Sequence, residues 1–186
     1  MEPLFFENQA AFRKWLEKNH KKEKELIVGF YKKASKKFNM TWSESVDQAL
    51  CFGWIDSTVK SLDEDRFAQR FSPRNPKSGY SQANKERLRA LAKQRKLTPE
   101  VLASVQEIIS QDDNFRVPAD IIAAIRESPD AWANFKGFSP AYVRIRISFI
   151  EAARNRPEEY KKRLRYFIQM TEKGRQFGFG GIEKHY

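Results

Sequence analysis

The segments of this chain that predict β-strands all lie before residue 75, and the segments after it carry the signals of helices. Residues 25–33 are rich in β-branched and aromatic side chains, which predicts a short strand. Residues 54–62 and 66–74 flank the turn Asp63-Glu64-Asp65, and this arrangement predicts a β-hairpin. Later in the chain, Thr or Ser followed by Pro marks helix starts at Thr98-Pro99 and Ser139-Pro140.

Two more helices are predicted in front of the hairpin. Asn8 is a capping residue for the first, and Thr41 and Glu44 form a capping box for the second, which ends at Gly53. The resulting order predicts an α+β fold, with a small antiparallel sheet and flanking helices, followed by an all-helical C-terminal part. We expect an α+β domain at 1–112, a helical region at 113–172 and a mobile, glycine-rich tail at 173–186.

The composition limits the kinds of site and compartment that we expect. The single cysteine, Cys51, excludes an internal disulfide, and one cysteine with two histidines does not favour a zinc site. No apolar run approaches the roughly 18 residues of a membrane helix, and the first residues lack the uninterrupted apolar stretch of a signal peptide. We therefore expect a soluble, cytoplasmic protein that has no transmembrane segment and uses no cofactor or metal.

The formal net charge of +11 is unevenly distributed. Residues 66–97 carry ten basic side chains against one acidic side chain, which favours an anionic partner or serves solubility alone. Four of these basic residues recur at helical spacing and form what we call the basic stripe: Lys85, Arg89, Lys93 and Lys96. The basic stripe is either a solvated helix face or a non-specific contact to nucleic-acid phosphates. The basic side chains of residues 144–165 are interpreted as long side chains along core helices.

The hairpin is predicted to have one apolar and one polar face, because side chains alternate along a strand. The predicted pairs, from the turn outward, are Leu62–Arg66, Lys60–Ala68, Thr58–Arg70, Asp56–Ser72 and Trp54–Arg74. The core face then comprises Ile55, Val59, Phe67 and Phe71. The polar face comprises Trp54, Asp56, Thr58, Arg66, Arg70 and Arg74.

On the polar face, arginines beside an indole are typical of a pocket for an anion. The predicted ligand-binding residues are Trp54, Asp56, Arg70 and Arg74, with Tyr80 and Asn84 at the rim. The arginines can hold a carboxylate or phosphate, the indole can stack on a planar group, and the aspartate can orient one arginine. The same residues also fit a surface salt bridge across the hairpin, with the indole stacked on Arg74 and no function.

The sequence predicts no catalytic residue. A carboxylate beside arginines has a lowered pKa, which makes Asp56 a poor general acid. Cys51 lies in an apolar context at a helix end, which is typical of a buried structural thiol rather than of a nucleophile. We therefore expect a function in binding rather than in catalysis. An uncharacterised enzyme ranks third, after a small-anion-binding protein and a nucleic-acid-binding protein.

Two stretches resemble a known family. In residues 41–91 the shared elements are QALCFGWID, LDE and RFSPR, followed by a helix start with Ser81 and Asn84. Residues 117–164, from VPADII to YKKRL, are similar to the C-terminal region of the same family, although the string at 50–74 is the more specific part. The chain thus resembles the YdeI/OmpD-associated family, whose members are grouped as bacteriocin-protection or antimicrobial-peptide-resistance factors. The resemblance implies a role in stress response or bacteriocin protection and carries over no catalytic residue.

The charge narrows the mechanism that this resemblance implies. Bacteriocins and antimicrobial peptides are often cationic, and a chain with a net charge of +11 repels them. We therefore expect a cytosolic protection protein that binds an anionic small molecule at the polar face of the 54–74 hairpin, rather than one that sequesters the peptide. The alternative function is non-specific nucleic-acid binding by the basic region at 66–97.

Overall fold

The computed structural model describes residues 2–110 and 115–178, which form two compact units. The first unit contains residues 2–80 and 87–110, and the second contains residues 81–86 and 115–178. Within the described residues, the first unit carries the β-strands and the second is helical. The predicted α+β fold is therefore confirmed.

A four-stranded mixed sheet forms the centre of the first unit. The strands are β1 (Leu4–Phe5), β2 (Leu26–Tyr31), β3 (Trp54–Ser61) and β4 (Arg66–Pro73). Their order across the sheet is β1-β2-β4-β3, so β2 and β4 are the central strands. β1 runs parallel to β2, whereas the other neighbouring pairs are antiparallel. The sequence does not reveal β1, because two residues are too few to show a period-2 pattern.

Three helices of the first unit begin directly after the predicted capping residues Asn8, Thr41 and Thr98. The helices of this unit are α1 (Gln9–Asn19), α2 (Trp42–Cys51), α3 (Gln82–Lys93), α4 (Pro99–Ser104) and α5 (Gln106–Ser110), with α3 contributing residues to both units. The side chain of Asn8 accepts hydrogen bonds from two backbone N–H groups of α1, and Thr41 and Glu44 form the capping box of α2. Gly53 follows α2 with φ of 73°, a left-handed conformation that suits glycine.

The register of the hairpin follows the prediction next to the turn and departs from it further out. Lys60 pairs with Ala68, as predicted. A β-bulge between Asp56 and Val59 then shifts the register by one residue. The pairs beyond the bulge are Asp56–Phe71, Ile55–Ser72 and Trp54–Pro73. The predicted pairing of this outer half of the hairpin is therefore wrong, because one strand contains an additional residue.

The shifted register changes which side chains enter the core. Phe71 is buried, as predicted, and its ring lies edge-on to Phe12 of α1 with the centroids 5.6 Å apart. Trp54, predicted on the polar face, is buried in the same core. Val59, predicted on the core face, keeps the predicted register by pairing with Gln69 and is nevertheless 61% exposed, so its exposure does not result from the shift. The division of the hairpin into the two predicted faces is thus correct for Phe71 and wrong for Trp54 and Val59.

A buried ion pair joins α2 to α3 within the first unit. The guanidinium of Arg87, only 2% exposed, donates to the carboxylate of Asp47. It also donates to the backbone carbonyl of Ser43 at 3.3 Å and to the hydroxyl of the same residue at 3.1 Å. These bonds satisfy a charge that would otherwise be costly to bury.

Four further helices make up most of the second unit. They are α6 (Ala119–Arg126), α7 (Pro129–Phe135), α8 (Pro140–Glu151) and α9 (Pro157–Glu172). Proline lies at the start of α7, α8 and α9, where its missing N–H has no cost. The core comprises Ile121, Ile125, Ala131, Phe135, Tyr142, Ile147, Ile150 and Phe167.

The end of α9 is closed in a defined way. The side-chain amide of Asn134 donates to the carbonyls of Thr171 at 2.9 Å and Glu172 at 3.2 Å. Gly174 has φ of 62°, and the N–H of Arg175 donates to the carbonyl of Met170, which is a Schellman motif. The tail that was predicted from residue 173 onward lies outside the described residues after residue 178.

Candidate functional site

Trp54 is a core residue of the first unit. Its side chain is 1% exposed, and its ring meets Trp15 edge-on with the centroids 5.9 Å apart. Its indole N–H donates to the backbone carbonyl of His20 at 3.1 Å, which satisfies the polar end of the ring. The indole therefore stabilises the packing of α1 against the sheet instead of facing solvent.

Asp56 connects the hairpin to α2. Its Oδ2 accepts hydrogen bonds from the indole N–H of Trp42 at 3.0 Å and from the amide of Gln69 at 3.2 Å. The same amide donates to the carbonyl of Ser57 at 3.1 Å, across the bulge. The carboxylate is thus held by neutral donors rather than by the predicted arginines.

Each of the two predicted arginines has local partners. Arg70 pairs with Glu25 at 2.7 Å and donates to the hydroxyl of Ser57 at 3.3 Å. Arg74 lies over the ring of Tyr80, with 3.5 Å between its guanidinium carbon and the ring centroid. The structure therefore brings Arg74 and Tyr80 together, but not with Trp54, whose ring lies inside the core.

The guanidinium of Arg74 also organises the loop after β4. It donates to the carbonyl of Asn75 at 3.2 Å and to the carbonyl of Ser78. Asn84, predicted at the rim, lies in the first turn of α3, where its N–H donates to the Ser81 hydroxyl at 3.3 Å. These hydrogen bonds have structural roles in closing a loop and starting a helix.

The basic stripe is only partly open to solvent. Lys85 and Arg89 are half-buried, and Arg89 donates to the carbonyl of Ile108 at 3.2 Å. Lys93 and Lys96 are exposed. The affinity of a protein for nucleic acid increases with each phosphate that it neutralises. Two exposed lysines therefore offer few contacts to a phosphate backbone.

A cavity of about 200 Å³ lies between α8 and α9 of the second unit. Its aromatic wall is formed by Phe149, Tyr166, Phe167 and Phe177. Three basic residues and one acidic residue also line it, namely Arg146, Lys162, Arg163 and Glu159. Because aromatic and cationic side chains lie side by side, the cavity combines an apolar surface with positive charge.

Phe177 completes the aromatic wall from the short segment that follows α9. Its ring lies edge-on to the ring of Tyr166, with the centroids 4.8 Å apart. The centroids of the Phe177 and Phe167 rings are 6.4 Å apart. Its backbone N–H donates to the hydroxyl of Tyr142 at 3.3 Å, which ties the segment to α8. The left-handed Gly174 directs the chain into this position after the helix ends.

Two of the three basic residues of the cavity, Arg146 and Arg163, lie against aromatic rings. The guanidinium carbon of Arg163 lies 3.8 Å from the centroid of Phe149, and that of Arg146 lies 5.3 Å from the centroid of Phe177. Arg146 is 4% exposed, so it is part of the cavity wall, whereas Lys162 is exposed at the cavity edge. Such contacts are attractive and keep the positive charges beside the apolar surface.

Glu159 is the acidic residue of the lining. Its carboxylate accepts a hydrogen bond from Arg163 at 2.7 Å, which holds the pKa of Glu159 below its usual value. Glu159 therefore stays ionised at neutral pH and neutralises one of the three lining cations. The remaining balance of charge in the lining is positive.

A second charged cluster in this unit is structural. Arg154 pairs with Asp120 at 2.9 Å and with Glu151 at 2.6 Å, and the hydroxyl of Tyr160 donates to Asp120 at 2.9 Å. The hydrogen bond from Arg154 lowers the pKa of Asp120 to about 2. These mutually satisfied groups join α6, α8 and α9.

Sequence reasoning missed the cavity. It interpreted the basic residues at 144–165 as long side chains along core helices, which is correct for Arg146 as a buried residue. The available signal was the occurrence of Phe149 and Tyr166 next to basic positions on two neighbouring helices. The position of Phe177 could not be inferred, because it depends on how the chain turns at Gly174.

Two kinds of feature are absent from residues 2–110 and 115–178. No group of three or more His, Cys, Asp and Glu side chains is arranged to hold a metal ion there. In the same residues, no helix has the length and apolar character needed to cross a membrane.

Comparison with known families finds a different family model for the N-terminal and for the C-terminal part of the chain. Residues 4–104 match a domain of unknown function (DUF8412), and residues 114–174 match the family described as Bacteriocin-protection, YdeI or OmpD-Associated. The chain belongs to the DUF8412 family, and its C-terminal part is a YdeI/OmpD-associated domain. No curated protein and no solved structure matches the chain.

The YdeI/OmpD-associated domain contains both helices that line the cavity. Of the four residues in the aromatic wall of the cavity, Phe177 alone lies beyond the matched residues. The suspected family is thus confirmed, and the C-terminal part carries it. The hairpin and its string QALCFGWID lie instead in the DUF8412 domain. The domain that holds the cavity therefore matches the family with the bacteriocin-protection description.

Proposed function

We propose that this chain has a bacteriocin-protection-type role, exerted in the cytoplasm, and that it acts by binding a small aromatic anion in the cavity between α8 and α9. The observation that carries the proposal is the composition of the cavity wall. Four aromatic rings and three basic side chains line a volume of about 200 Å³ inside the YdeI/OmpD-associated domain. The proposal retains an anionic ligand, as the sequence predicts, but places its binding site in this cavity instead of on the hairpin.

The lining defines the class of ligand. The rings of Phe149, Tyr166 and Phe177 offer apolar surface for a planar group, and ring–ring contacts favour edge-on or offset packing. Arg146 and Lys162 offer positive charge for a carboxylate, sulfonate or phosphate. The volume is below the roughly 300–1,000 Å³ of sites for drug-sized ligands, so a single ring with a short acidic arm fits best.

The lining favours binding over catalysis. The guanidinium groups of Arg146 and Arg163 present several N–H donors in a fixed planar geometry, which suits them to orient an anion. Glu159 is kept ionised by its hydrogen bond to Arg163, which makes it a poor general acid. These residues therefore support recognition of an anion without proton transfer.

The charge also supports an indirect form of protection. The net charge of +11 and the cationic lining repel a cationic peptide, so the peptide itself is not the ligand that we propose. Binding of a small anion instead makes protection depend on a cellular compound or signal, in line with a stress response. Nucleic-acid binding by the basic stripe stays a separate prediction, for which a labelled oligonucleotide is the direct test.

The experiment compares two neighbouring lysines of α9. Lys162 lines the cavity, whereas Lys161 lines a groove on the other side of the helix and pairs with Glu158. Isothermal titration calorimetry would measure binding of phenylacetate and of its neutral amide to wild type, Lys162→Gln and Lys161→Gln. We expect wild type to bind phenylacetate more tightly than about 1 mM and to prefer it to the amide.

The proposal predicts that Lys162→Gln lowers the affinity for phenylacetate several-fold and leaves the affinity for the amide unchanged. Lys161→Gln should change neither affinity. Equal weakening by both variants would mean that only the overall charge matters. Absence of binding for phenylacetate and for larger aromatic acids would contradict the proposed site. In cells exposed to a bacteriocin, Lys162→Gln should lose protection that Lys161→Gln retains.

A further inference from the structure

The loop after β2 holds an apolar side chain in solvent among lysines. Residues 32–38 read KKASKKF and include a 3-10 turn at Lys33–Ser35. We call them the lysine loop. Phe38 is 80% exposed, and Lys33, Lys36 and Lys37 are exposed as well. A single exposed apolar residue needs no explanation by itself, but the backbone of this loop sets Phe38 apart.

The exposure of Phe38 is imposed by its neighbours in the chain. Asn39 and Met40, which follow it directly, are buried. The side chain of Asn39 donates to the carbonyl of Gly29 at 3.0 Å and accepts from the N–H of Tyr31 at 3.4 Å. The chain is thus anchored to β2 immediately after Phe38, and the ring points outward from a fixed base.

The other end of the lysine loop is anchored too. Lys32 donates through its ammonium group to the carbonyl of Asp63 at 2.7 Å, and its carbonyl accepts from the hydroxyl of Ser35 at 2.8 Å. Lys36 has φ of 57°, a left-handed conformation that is uncommon for a residue other than glycine. Such a conformation persists where the surrounding contacts fix it. The loop therefore has a defined shape, with its lysines and Phe38 at the tip.

The pattern of cations beside aromatic rings continues onto the sheet. The ammonium group of Lys37 lies 5.8 Å from the ring centroid of Tyr31, and this ring lies 5.4 Å from that of Phe5. Phe5 is 37% exposed and has the guanidinium of Arg66 over its ring. A second partly exposed aromatic residue thus lies close to the lysine loop.

We propose that the lysine loop docks on an anionic lipid surface. Phe38 enters the boundary between headgroups and acyl chains, and the exposed lysines contact the lipid phosphates. The strength of interfacial binding increases with the buried apolar area and with the electrostatic attraction to anionic lipids, and the loop offers a group for each. The partner is identified by this charge complementarity and by the apolar tip.

The acidic turn of the hairpin argues for a lipid surface over a nucleic acid. Asp63, Glu64 and Asp65 line the same recess as Tyr31 and Lys37, although Asp63 is paired with Arg66. A nucleic-acid strand that stacked on the sheet rings would bring its phosphates to these carboxylates and be repelled. The tip of the lysine loop instead approaches a membrane first, so the acidic turn weakens binding only by long-range electrostatic repulsion from the anionic lipids.

The test is co-sedimentation of the full chain with vesicles of phosphatidylcholine alone or with phosphatidylglycerol added. Each lysine near an anionic surface adds roughly five-fold in affinity. The variants are Phe38→Ser and the triple change Lys33→Gln, Lys36→Gln and Lys37→Gln. The control removes equal charge at the opposite end of β2 with Lys18→Gln, Lys22→Gln and Lys24→Gln, all exposed. Because Phe38 is largely exposed, its replacement leaves the fold intact, which circular dichroism would verify.

We expect binding to the anionic vesicles only, roughly 100-fold weaker for the triple variant and close to wild type for the control. Phe38→Ser should weaken binding at least several-fold, and Glu64→Gln with Asp65→Asn should strengthen it. Equal losses in the control and the loop variants would overturn the proposal. So would absence of vesicle binding, or an oligonucleotide affinity that depends on the lysines and not on Phe38.

Discussion

The guanidinium carbon of Arg163 lies 3.8 Å from the ring centroid of Phe149, and its NH1 donates to the backbone carbonyl of the same residue at 2.7 Å. One side chain of α9 thus holds both the ring and the backbone of a residue on α8. Because both residues line the cavity, this contact fixes the separation of its two walls. The shape of the cavity and the packing of the two helices therefore depend on the same residue.

Replacing Arg163 by methionine should affect stability and binding together. The variant loses the ring contact, the charge-assisted hydrogen bond to the carbonyl of Phe149 and the partly exposed pair with Glu159, which together stabilise by about 1–2 kcal/mol. It should also bind phenylacetate more weakly, since Phe149 is no longer held. Urea unfolding and calorimetry would measure the two effects. Arg165→Met, an exposed position on the same helix, is the control and should stay within about 0.5 kcal/mol of wild type. An Arg163→Met variant as stable as this control would contradict the role of the contact.

Replacing Trp54 by alanine should destabilise the first unit strongly. The side chain is 1% exposed and packs on Trp15, so its removal leaves a cavity that costs roughly 3–5 kcal/mol. Arg70→Ala should cost less than about 1 kcal/mol, because its pair with Glu25 is partly exposed. Urea unfolding followed by circular dichroism would separate these outcomes. If Trp54→Ala were the milder change, the ring would have to face solvent, as the unshifted hairpin register requires.

The helix starts and the inner half of the hairpin could be predicted because their signals are local. Asn8, Thr41 and Glu44 act through backbone groups a few residues away, and the turn at 63–65 fixes the pair Lys60–Ala68. The bulge beyond Val59 could not be predicted, since no glycine or other marker accompanies it. One additional residue then reversed the face assigned to Trp54.

The cavity could not be predicted because its parts meet through tertiary structure. Phe149 and Arg163 lie on different helices, and nothing in their local sequence specifies the contact. Gly174 lies in the segment 173–186 that the sequence predicts to be a mobile tail, and its left-handed conformation ends α9 and leads Phe177 back to Tyr166. A glycine that permits flexibility and a glycine that a Schellman motif requires look identical in a single sequence.

The buried pair of Arg87 and Asp47 should be sensitive to removal of one partner and tolerant of removal of both. Arg87→Met removes the guanidinium that pairs with the buried carboxylate of Asp47, and should cost about 3–5 kcal/mol. The double variant Arg87→Met with Asp47→Leu should regain much of this loss, because no uncompensated charge is left. Urea unfolding of the single and double variants forms a mutant cycle that measures the coupling. A double variant that is less stable than Arg87→Met would show that the pair has another role.

Because of Cys51, the free energy of unfolding of the first unit should fall as the pH rises in the alkaline range. Burial raises the pKa of the Cys51 thiol to about 11, although Arg13 partly opposes this effect, whereas an exposed cysteine has a pKa of about 8.5. Between these values the unfolded chain releases its proton and the folded chain keeps it. Folding therefore loses stability as the pH rises above about 8.5, by about 1 kcal/mol at pH about 9.5. Urea unfolding near pH 7.5 and 9.5 should show this loss in wild type and a smaller one in Cys51→Ala. Equal pH dependence in both proteins, or rapid labelling of the folded thiol at neutral pH, would mean that Cys51 is accessible to solvent.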